Sequence, residues 1–506
     1  MPRLYAMTLP LSTYNMLDFN NTEIAFSSKS RGELQNAYWL FNTIKYPWLV
    51  KCAKVATSIA LKIHFPLAWA VKPTLYKQFV GGETLQDCSA AINHLMKYNV
   101  KSTLDYSAES EQTPEGIQAT FEETLRSIDF AKGNTNLAYA VFKPSTITTD
   151  ELLAKASEKR EELTIDDVRH FREFRERFMA LCQRAYDNDV RILVDAEDYC
   201  FQDAIDALTD EAMRKFNKKR AIVFATLQMY RHDRMPYLRR IYDDAVAKGY
   251  IAGVKFVRGA YMEAERARAA ALDYPDPICK DKQATDENYD AAVRFTMDHL
   301  DRFEMFMGTH NEESNYKLAK LMDEKGIARD DSRVFFAQLL GMSDNISFNL
   351  AHAGYNVTKY VPYASVRDVL PYLIRRAEEN TSVAGTTGLR PGRSGPSATS
   401  SAGPWCGCSP AGERRPAPAG GPASGGPRHR TGGSRRCSRC GPSCASPGGQ
   451  RPSPWPVAGG WPCRGRRRRW SDRDSRRRCG TGRRGPALPP GPGCPRWVPA
   501  SWGRCG

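Results

Sequence analysis

No stretch of 18 or more apolar residues occurs anywhere in the chain, so no segment has the length and apolarity to cross a bilayer as a helix. Lysine is absent from Thr386 to Gly506, where the only acids are Glu413, Asp472 and Asp474 against 23 arginines. That tail therefore carries +20 within a chain of formal charge +16, which leaves residues 1–385 at −4. A nucleic-acid partner is accordingly not expected for the body of the protein. No Gly-x-Gly-x-x-Gly follows a β-rich run, which removes the support for a Rossmann dinucleotide site. The body has few cysteines, Cys52, Cys88, Cys182, Cys200 and Cys279, and they are too scattered for a disulfide framework. The other nine lie in the tail, where Cys406-x-Cys408 and Cys437-x2-Cys440-x3-Cys444 lack the second pair or histidine that a tetrahedral zinc site needs. No metal is expected. The run to Asn20 shows neither a secretory signal nor the arginine density of a transit peptide.

Three regions follow from composition. Residues 1–99 read as a helical N-terminal region, in which Pro47 to Leu75 is apolar but broken by Lys51, Lys54, Lys62, His64 and Lys72. That segment fits either a helix packed on the body or one lying along a membrane surface. Residues 386–506, rich in Gly, Pro, Ser and Arg and without apolar periodicity, cannot bury enough surface to offset the entropy of ordering and are expected to be disordered. Arginine to the exclusion of lysine also fits translation of a GC-rich stretch out of frame. Residues 100–385 hold the recognisable folding pattern.

In that middle region short β-rich runs alternate with longer helical ones. The spacing predicts strands over Val100–Tyr106, Leu137–Lys143, Val190–Asp195, Ala221–Gln228, Gly253–Val257, Met305–Thr309, Arg333–Leu339 and Val357–Tyr360. Helical patterns fall between them at Pro114–Ala131, Ile165–Tyr186, Met235–Lys248, Asp286–Leu300, Glu312–Glu324 and Ser343–Ala353. Eight strands alternating with helices is the arithmetic of an α/β chain closed into a TIM-type (βα)8 barrel, with a doubly wound sheet as the rival.

Chemistry in such a barrel collects at the strand ends. Here those ends carry Asp105 and Glu109, Lys143, Asp195 and Glu197, Gln228, Lys255 through Tyr261, Thr309-His310-Asn311, Leu339 and Tyr360. Asp195 and Glu197 serve equally well as caps for the next helix, and His310 as a hydrogen-bonding residue. Beyond the last strand, Leu370 to Asn380 sorts into two faces. Leu370, Leu373, Ile374 and Ala377 form a stripe to be buried, and Tyr372, Arg375, Arg376 and Glu379 form the opposite one. Two adjacent guanidiniums beside an aromatic ring suit a small amino or imino acid carboxylate, although Arg375 and Glu379 also make an ordinary i,i+4 surface pair.

Val254-Lys255-Phe256-Val257-Arg258-Gly259-Ala260-Tyr261-Met262, Gly308-Thr309-His310-Asn311, Leu340-Gly341-Met342-Ser343-Asp344, Lys359-Tyr360-Val361-Pro362-Tyr363 and Leu370 through Asn380 closely resemble the flavin-dependent proline dehydrogenases in their eukaryotic mitochondrial form. The resemblance runs from about Leu17 to Gly385 and stops at Thr386. It implies a distorted (βα)8 barrel with FAD at the strand ends, the last helix over the mouth, L-proline as substrate, a membrane quinone as electron acceptor, and peripheral attachment to the matrix side of the mitochondrial inner membrane. By position, Lys143, Arg375 and Arg376 would hold the proline carboxylate, Asp195 would neutralise Lys143, and Tyr360, Tyr372, Leu339, Ala260 and Tyr261 would contact the ring. Glu109 would close an ionic gate with the arginines. Gln228, Lys255, Val257, Arg258, Gly259, Ala260, Tyr261, Thr309, His310, Asn311 and Glu379 would line the FAD, with Lys255 standing where bacterial relatives carry an arginine near flavin N5. A sister enzyme of the family that oxidises hydroxyproline has a small residue at the Tyr360 position. Ala364 replaces a usual glycine, so strain is expected there if φ is positive. Pro371 is expected to kink or restart the helix if Ser365 is its cap. The competing non-enzymatic reading is an inert barrel whose Arg-rich tail binds nucleic acid or an acidic surface.

Overall fold

The computed structural model describes residues 17–44, 46, 48, 68–108 and 112–383, with residues 44, 68, 70 and 377–383 described in backbone only. Glu109, the side chain of Glu379, most of the apolar segment before Leu75 and the whole tail lie outside the described residues.

Eight parallel strands close into a barrel in simple chain order, β1 pairing with both β2 and β8. They are β1 (Val100–Tyr106), β2 (Leu137–Phe142), β3 (Ile192–Val194), β4 (Val223–Gln228), β5 (Ala252–Val257), β6 (Phe303–Gly308), β7 (Val334–Leu339) and β8 (Val357–Tyr363). All eight fall where the β-rich runs placed them, and the doubly wound rival is set aside by the closure. Counting the longer helices, α1 (Arg31–Ile44) and α2 (Leu85–Met96) precede the barrel. The crossovers are α3 (Pro114–Ala131), α4 (Asp150–Glu158), α5 (Ile165–Asp187), α6 (Tyr199–Phe216), α7 (Arg234–Lys248), α8 (Met262–Leu272), α9 (Lys282–Asp298), α10 (Glu312–Glu324) and α11 (Asp344–His352). The last helix, α12, spans Val366–Val383.

Local chemistry explains the helix starts. Thr84 and Thr164 each close a reciprocal capping box with an aspartate three residues on, Asp87 and Asp167, satisfying two otherwise orphaned N–H groups. Thr113 caps α3 with Pro114 at its first position, where a missing N–H costs nothing. Ser365 likewise caps α12, its Oγ accepting from Asp368 N at 3.3 Å. Pro371 does not restart that helix, which stays continuous through it; the ring removes only the N–H that would have bonded Arg367 in the preceding turn. Ala364 is also unstrained. The described non-glycine residues of positive φ are Asn99, Asp189, Asp273 and Ser343, and the Ala364 carbonyl accepts from Tyr76 Oη at 2.9 Å.

The barrel interior is aromatic at its base. The Tyr139 ring meets Phe224, Phe306 and Phe335 edge to face at 5.2, 5.0 and 5.3 Å. The Arg191 guanidinium caps them, 5.7 Å from the Tyr139 ring and paired to Glu304 at 2.7 Å. This plug fills the lower half of the barrel, beneath the polar groups of the opposite mouth. Tyr139→Ala is expected to cost about 3–5 kcal/mol of unfolding free energy, read as a lower denaturant midpoint at unchanged slope. A loss under about 1 kcal/mol would show that the base collapses around the gap.

Candidate active site

Two cation–carboxylate links span the mouth. Lys143, just past β2, donates to both oxygens of Asp105 at 3.3 and 3.1 Å. Asp195, just past β3, accepts from Lys255 Nζ of β5 at 2.5 Å and from Tyr360 Oη of β8 at 2.9 Å. The partner expected for Lys143 thus differs from the one found. Asp105 lies on β1, the strand next to β2, while both Asp195 oxygens are taken from across the barrel. Asp195 still acts on Lys143 at longer range. Burial alone would lower the Lys143 pKa, but the carboxylates of Asp105 and Asp195 outweigh it and hold the ammonium charged. The Lys255 ammonium sits 5.0 Å from the Tyr360 ring and 5.6 Å from the Phe306 ring, a cation–π setting that strengthens as water is excluded.

The expected cofactor residues fall into three groups. Gln228 is a coupling: its Nε2 donates to the Glu197 carbonyl at 2.7 Å and its Oε1 accepts from Ala260 N at 3.3 Å. Gly259 follows Val257 and Arg258 at φ +135, where an added Cβ would lie 2.3 Å from the Tyr230 ring, so only glycine fits this bare turn of backbone. The Arg258 guanidinium is held by protein partners. It bonds Asp286, Thr309 Oγ1 and Ser314 Oγ at 2.7, 2.7 and 3.0 Å and stacks 4.5 Å over Tyr289. It fixes Thr309 in place. Asn311 caps α10 by accepting from Ser314 N at 2.8 Å. His310 Nδ1 pairs with Ser343 Oγ at 2.9 Å, and burial, reinforced by the positive Lys359 and Arg376, depresses its pKa to about 3. The imidazole is therefore neutral at physiological pH.

The two arginines of α12 face the same mouth. Arg376 lies 5.0 Å over the Tyr372 ring and acts on His310. Arg375 acts on Tyr261 and Asp198, countering the burial that raises both of their pKa values. Tyr372 and Tyr360 are both buried. Leu339 touches the core around each of them. Val366, Val369 and Leu373 seat the helix on Tyr76 and Phe79. Among the described residues, Leu370, Leu373 and Ile374 also border a cleft of about 1450 Å³ shared with Val71, Tyr76 and Leu340. Lys359 and Asp344 line that cleft, whereas Lys143, Asp195, Lys255, Arg375 and Arg376 do not.

Sequence reasoning named the strand ends but missed the work of Asp105 and Glu197. Glu197 accepts from Ser145 Oγ and N at 2.8 and 3.3 Å. Its position two residues past Asp195, on the same side of an extended chain, was the available signal.

A proline dehydrogenase family profile matches residues 88–388, more than half of the chain. A curated relative, the carbapenem antibiotics biosynthesis protein CarD of Pectobacterium carotovorum subsp. carotovorum, is 34% identical over 310 residues, 61% of this chain and 79% of that protein. The mitochondrial proline dehydrogenase 1 of Homo sapiens is 42% identical over 211 residues, 41% of this chain but 35% of its own length. A hydroxyproline dehydrogenase of Xenopus laevis is 30% identical over 395 residues, covering 71% of this chain and 84% of that one. Among solved structures, proline utilization A from Bdellovibrio bacteriovorus, inactivated by N-propargylglycine, superposes with a TM-score of 0.57 at 18% identity, over 73% of this chain and 40% of that one, a likeness of fold. With the profile spanning most of the barrel and the motif residues gathered at its mouth, the chain belongs to the proline dehydrogenase family of oxidoreductases.

Proposed function

We propose that the protein oxidises L-proline to 1-pyrroline-5-carboxylate with FAD, passing the electrons to a membrane quinone at the mitochondrial inner membrane. The observation that carries this reading is the convergence of Lys143, Arg375 and Arg376 with Tyr360 and Tyr372 on one barrel mouth. Three cations suit one carboxylate, and the two rings suit the flat sides of a five-membered ring.

The residues present also fit the cofactor. The glycine turn at Gly259, the Gln228 amide, Lys255, the neutral His310 and the Thr309 and Asn311 segment offer bare backbone, amide, cation and uncharged donors around one rim. With them Val257, Ala260, Tyr261 and Glu379 would hold FAD, and Arg258 would brace Thr309 from behind. Bound there, FAD supplies a two-electron acceptor. Proline loses a hydride from C5 and a proton from its nitrogen, and a C=N bond forms. The chain's own contribution is alignment and exclusion of water. Lys143 and the arginines fix the carboxylate, Asp195 keeps Tyr360 and Lys255 in register, and α12 covers the mouth.

The first test is spectroscopic: flavin absorption bands that bleach on adding L-proline are expected, and a colourless protein or an unbleached flavin would sink the reading. Arg376→Ala is expected to raise KM for proline about 10- to 100-fold, the worth of roughly one charge-assisted bond. An unchanged KM would place the carboxylate elsewhere. The Tyr360 hydroxyl occupies space that a ring hydroxyl would need, which favours proline over hydroxyproline. Tyr360→Ser should therefore shift relative kcat/KM toward trans-4-hydroxyproline, and no shift would remove the steric argument.

A further inference from the structure

Glu197 is a buried carboxyl at the mouth that the proposed chemistry leaves unused. Its main chain is pinned on both sides, its N–H donating to Gln202 Oε1 at 2.9 Å and its carbonyl accepting from Gln228 Nε2 at 2.7 Å. Its side chain is clipped to Ser145, two residues after Lys143, through the hydroxyl at 2.8 Å and the backbone N–H at 3.3 Å. Both donors converge on Oε1, so a proton on Oε2 breaks neither bond.

The charges facing it come from three elements. Lys143 after β2 attracts its ionised form, Asp195 on its own strand end repels it, and Tyr261 before α8 senses it. Asp105 competes with it for the same lysine. Lys143 thus bonds Asp105 while Glu197 and Asp195 act on it at longer range. A ligand carboxylate drawn to Lys143 would add an anion beside Glu197, and the buried mouth relieves that repulsion most simply by neutralising the acid whose geometry survives protonation. Resting on the substrate reading above, we infer that Glu197 is the positioning residue that takes up a proton when a carboxylate ligand binds at Lys143, tying ligand affinity to pH. Burial, only partly offset by Ser145 and Lys143, already raises its pKa to about 7, so the uptake falls in the physiological range. By reciprocity, affinity must fall as rising pH strips the proton.

The linkage to stability has a definite sign. A carboxyl whose pKa is higher in the fold than in the unfolded chain favours folding below its unfolded value, and that contribution is lost as pH rises through about 7.

The experiment uses the full chain and cyclopentanecarboxylate, a ring carboxylate that cannot be oxidised at nitrogen. Affinity is expected to fall about fivefold or more between pH 6.5 and 8.5, the low end of ordinary coupling between sites. Calorimetry in two buffers of different ionisation enthalpy should show proton uptake near neutral pH. Glu197→Gln, which fixes the neutral form, should flatten the affinity profile, abolish the uptake and weaken the pH dependence of the thermal midpoint of the ligand-free protein between pH 5 and 8. Ser145→Ala removes a donor that favours the ionised form and should move the break in affinity to higher pH; it carries the test if the glutamine variant does not fold. Profiles in both variants that match the wild type, or a wild type with no proton uptake, would overturn the proposal. If that wild type still bleaches with proline, the role of Glu197 fails alone; a wild type that does not bleach takes the substrate reading down with it.

Discussion

Asp195 accepts from Lys255 on one side and Tyr360 on the other, linking β3 to β5 and β8, none of which is its neighbour in the sheet. The ion pair is nearly dry, with side-chain exposures of 7% for Lys255 and 15% for Asp195. Removing one partner from a buried pair typically costs about 3–5 kcal/mol, because the charge left behind has no water to turn to. The mouth is therefore held from across its diameter as well as around its rim. A lysine beneath the Tyr360 ring cannot drift without exposing Asp195, and Tyr360 cannot turn without losing its acceptor.

Around that crosslink the rim is stitched pairwise. Lys143 reaches Asp105, Glu197 reaches Ser145, Gln228 reaches Ala260, Arg258 reaches Thr309 and His310 reaches Ser343. Lys359 of β8 completes the circuit by donating to the Met342 carbonyl at 2.5 Å and pairing with Asp344 at 2.9 Å. Each bond ties one strand, or the loop after it, to its neighbour in the barrel. Side chains aimed into a site are more precise when such partners lock them. The aromatic plug of Tyr139 beneath leaves these polar groups facing the mouth.

What the sequence made legible follows from where each element buries its surface. Strands of a barrel are covered on both faces, so they read as apolar runs, and all eight were found. Helix α6 was not, for the converse reason. Among its buried residues are Gln202, Asp206, Thr209 and Asp210, and the two aspartates meet Arg234, Tyr237 and Arg240 of α7. A face made apolar in effect by pairing does not look apolar in one dimension. Helix α8 was missed because Met262–Leu272 is mostly Ala, Glu and Arg, with Glu265 and Ala269 its buried residues. The site was legible as a set of strand ends but not as a set of pairs. Asp105 and Asp195 are equivalent acids until the closure of the barrel decides which lysine each meets.

Helix α12 shows how one segment serves both the packing and the chemistry. Val366, Val369 and Leu373 are buried against Tyr76 and Phe79, and Tyr76 also donates to the Ala364 carbonyl at the end of the loop from β8. Gln78 reaches the Gly341 carbonyl at 2.8 Å, where φ is +76 and a Cβ would lie 2.1 Å from the Gln78 carbonyl oxygen. Residues ahead of the barrel in sequence thus brace the two loops, after β7 and β8, that flank the start of α12. The angle at which Arg375 and Arg376 enter the mouth is set by this apolar seat. Loss of packing at Phe79 or Tyr76 would reach the site by tilting the helix, leaving every charged group intact but misplaced. Since misplacement of about 1 Å can cost a hundredfold in rate, the apolar face of α12 is as much a part of the site as its guanidiniums.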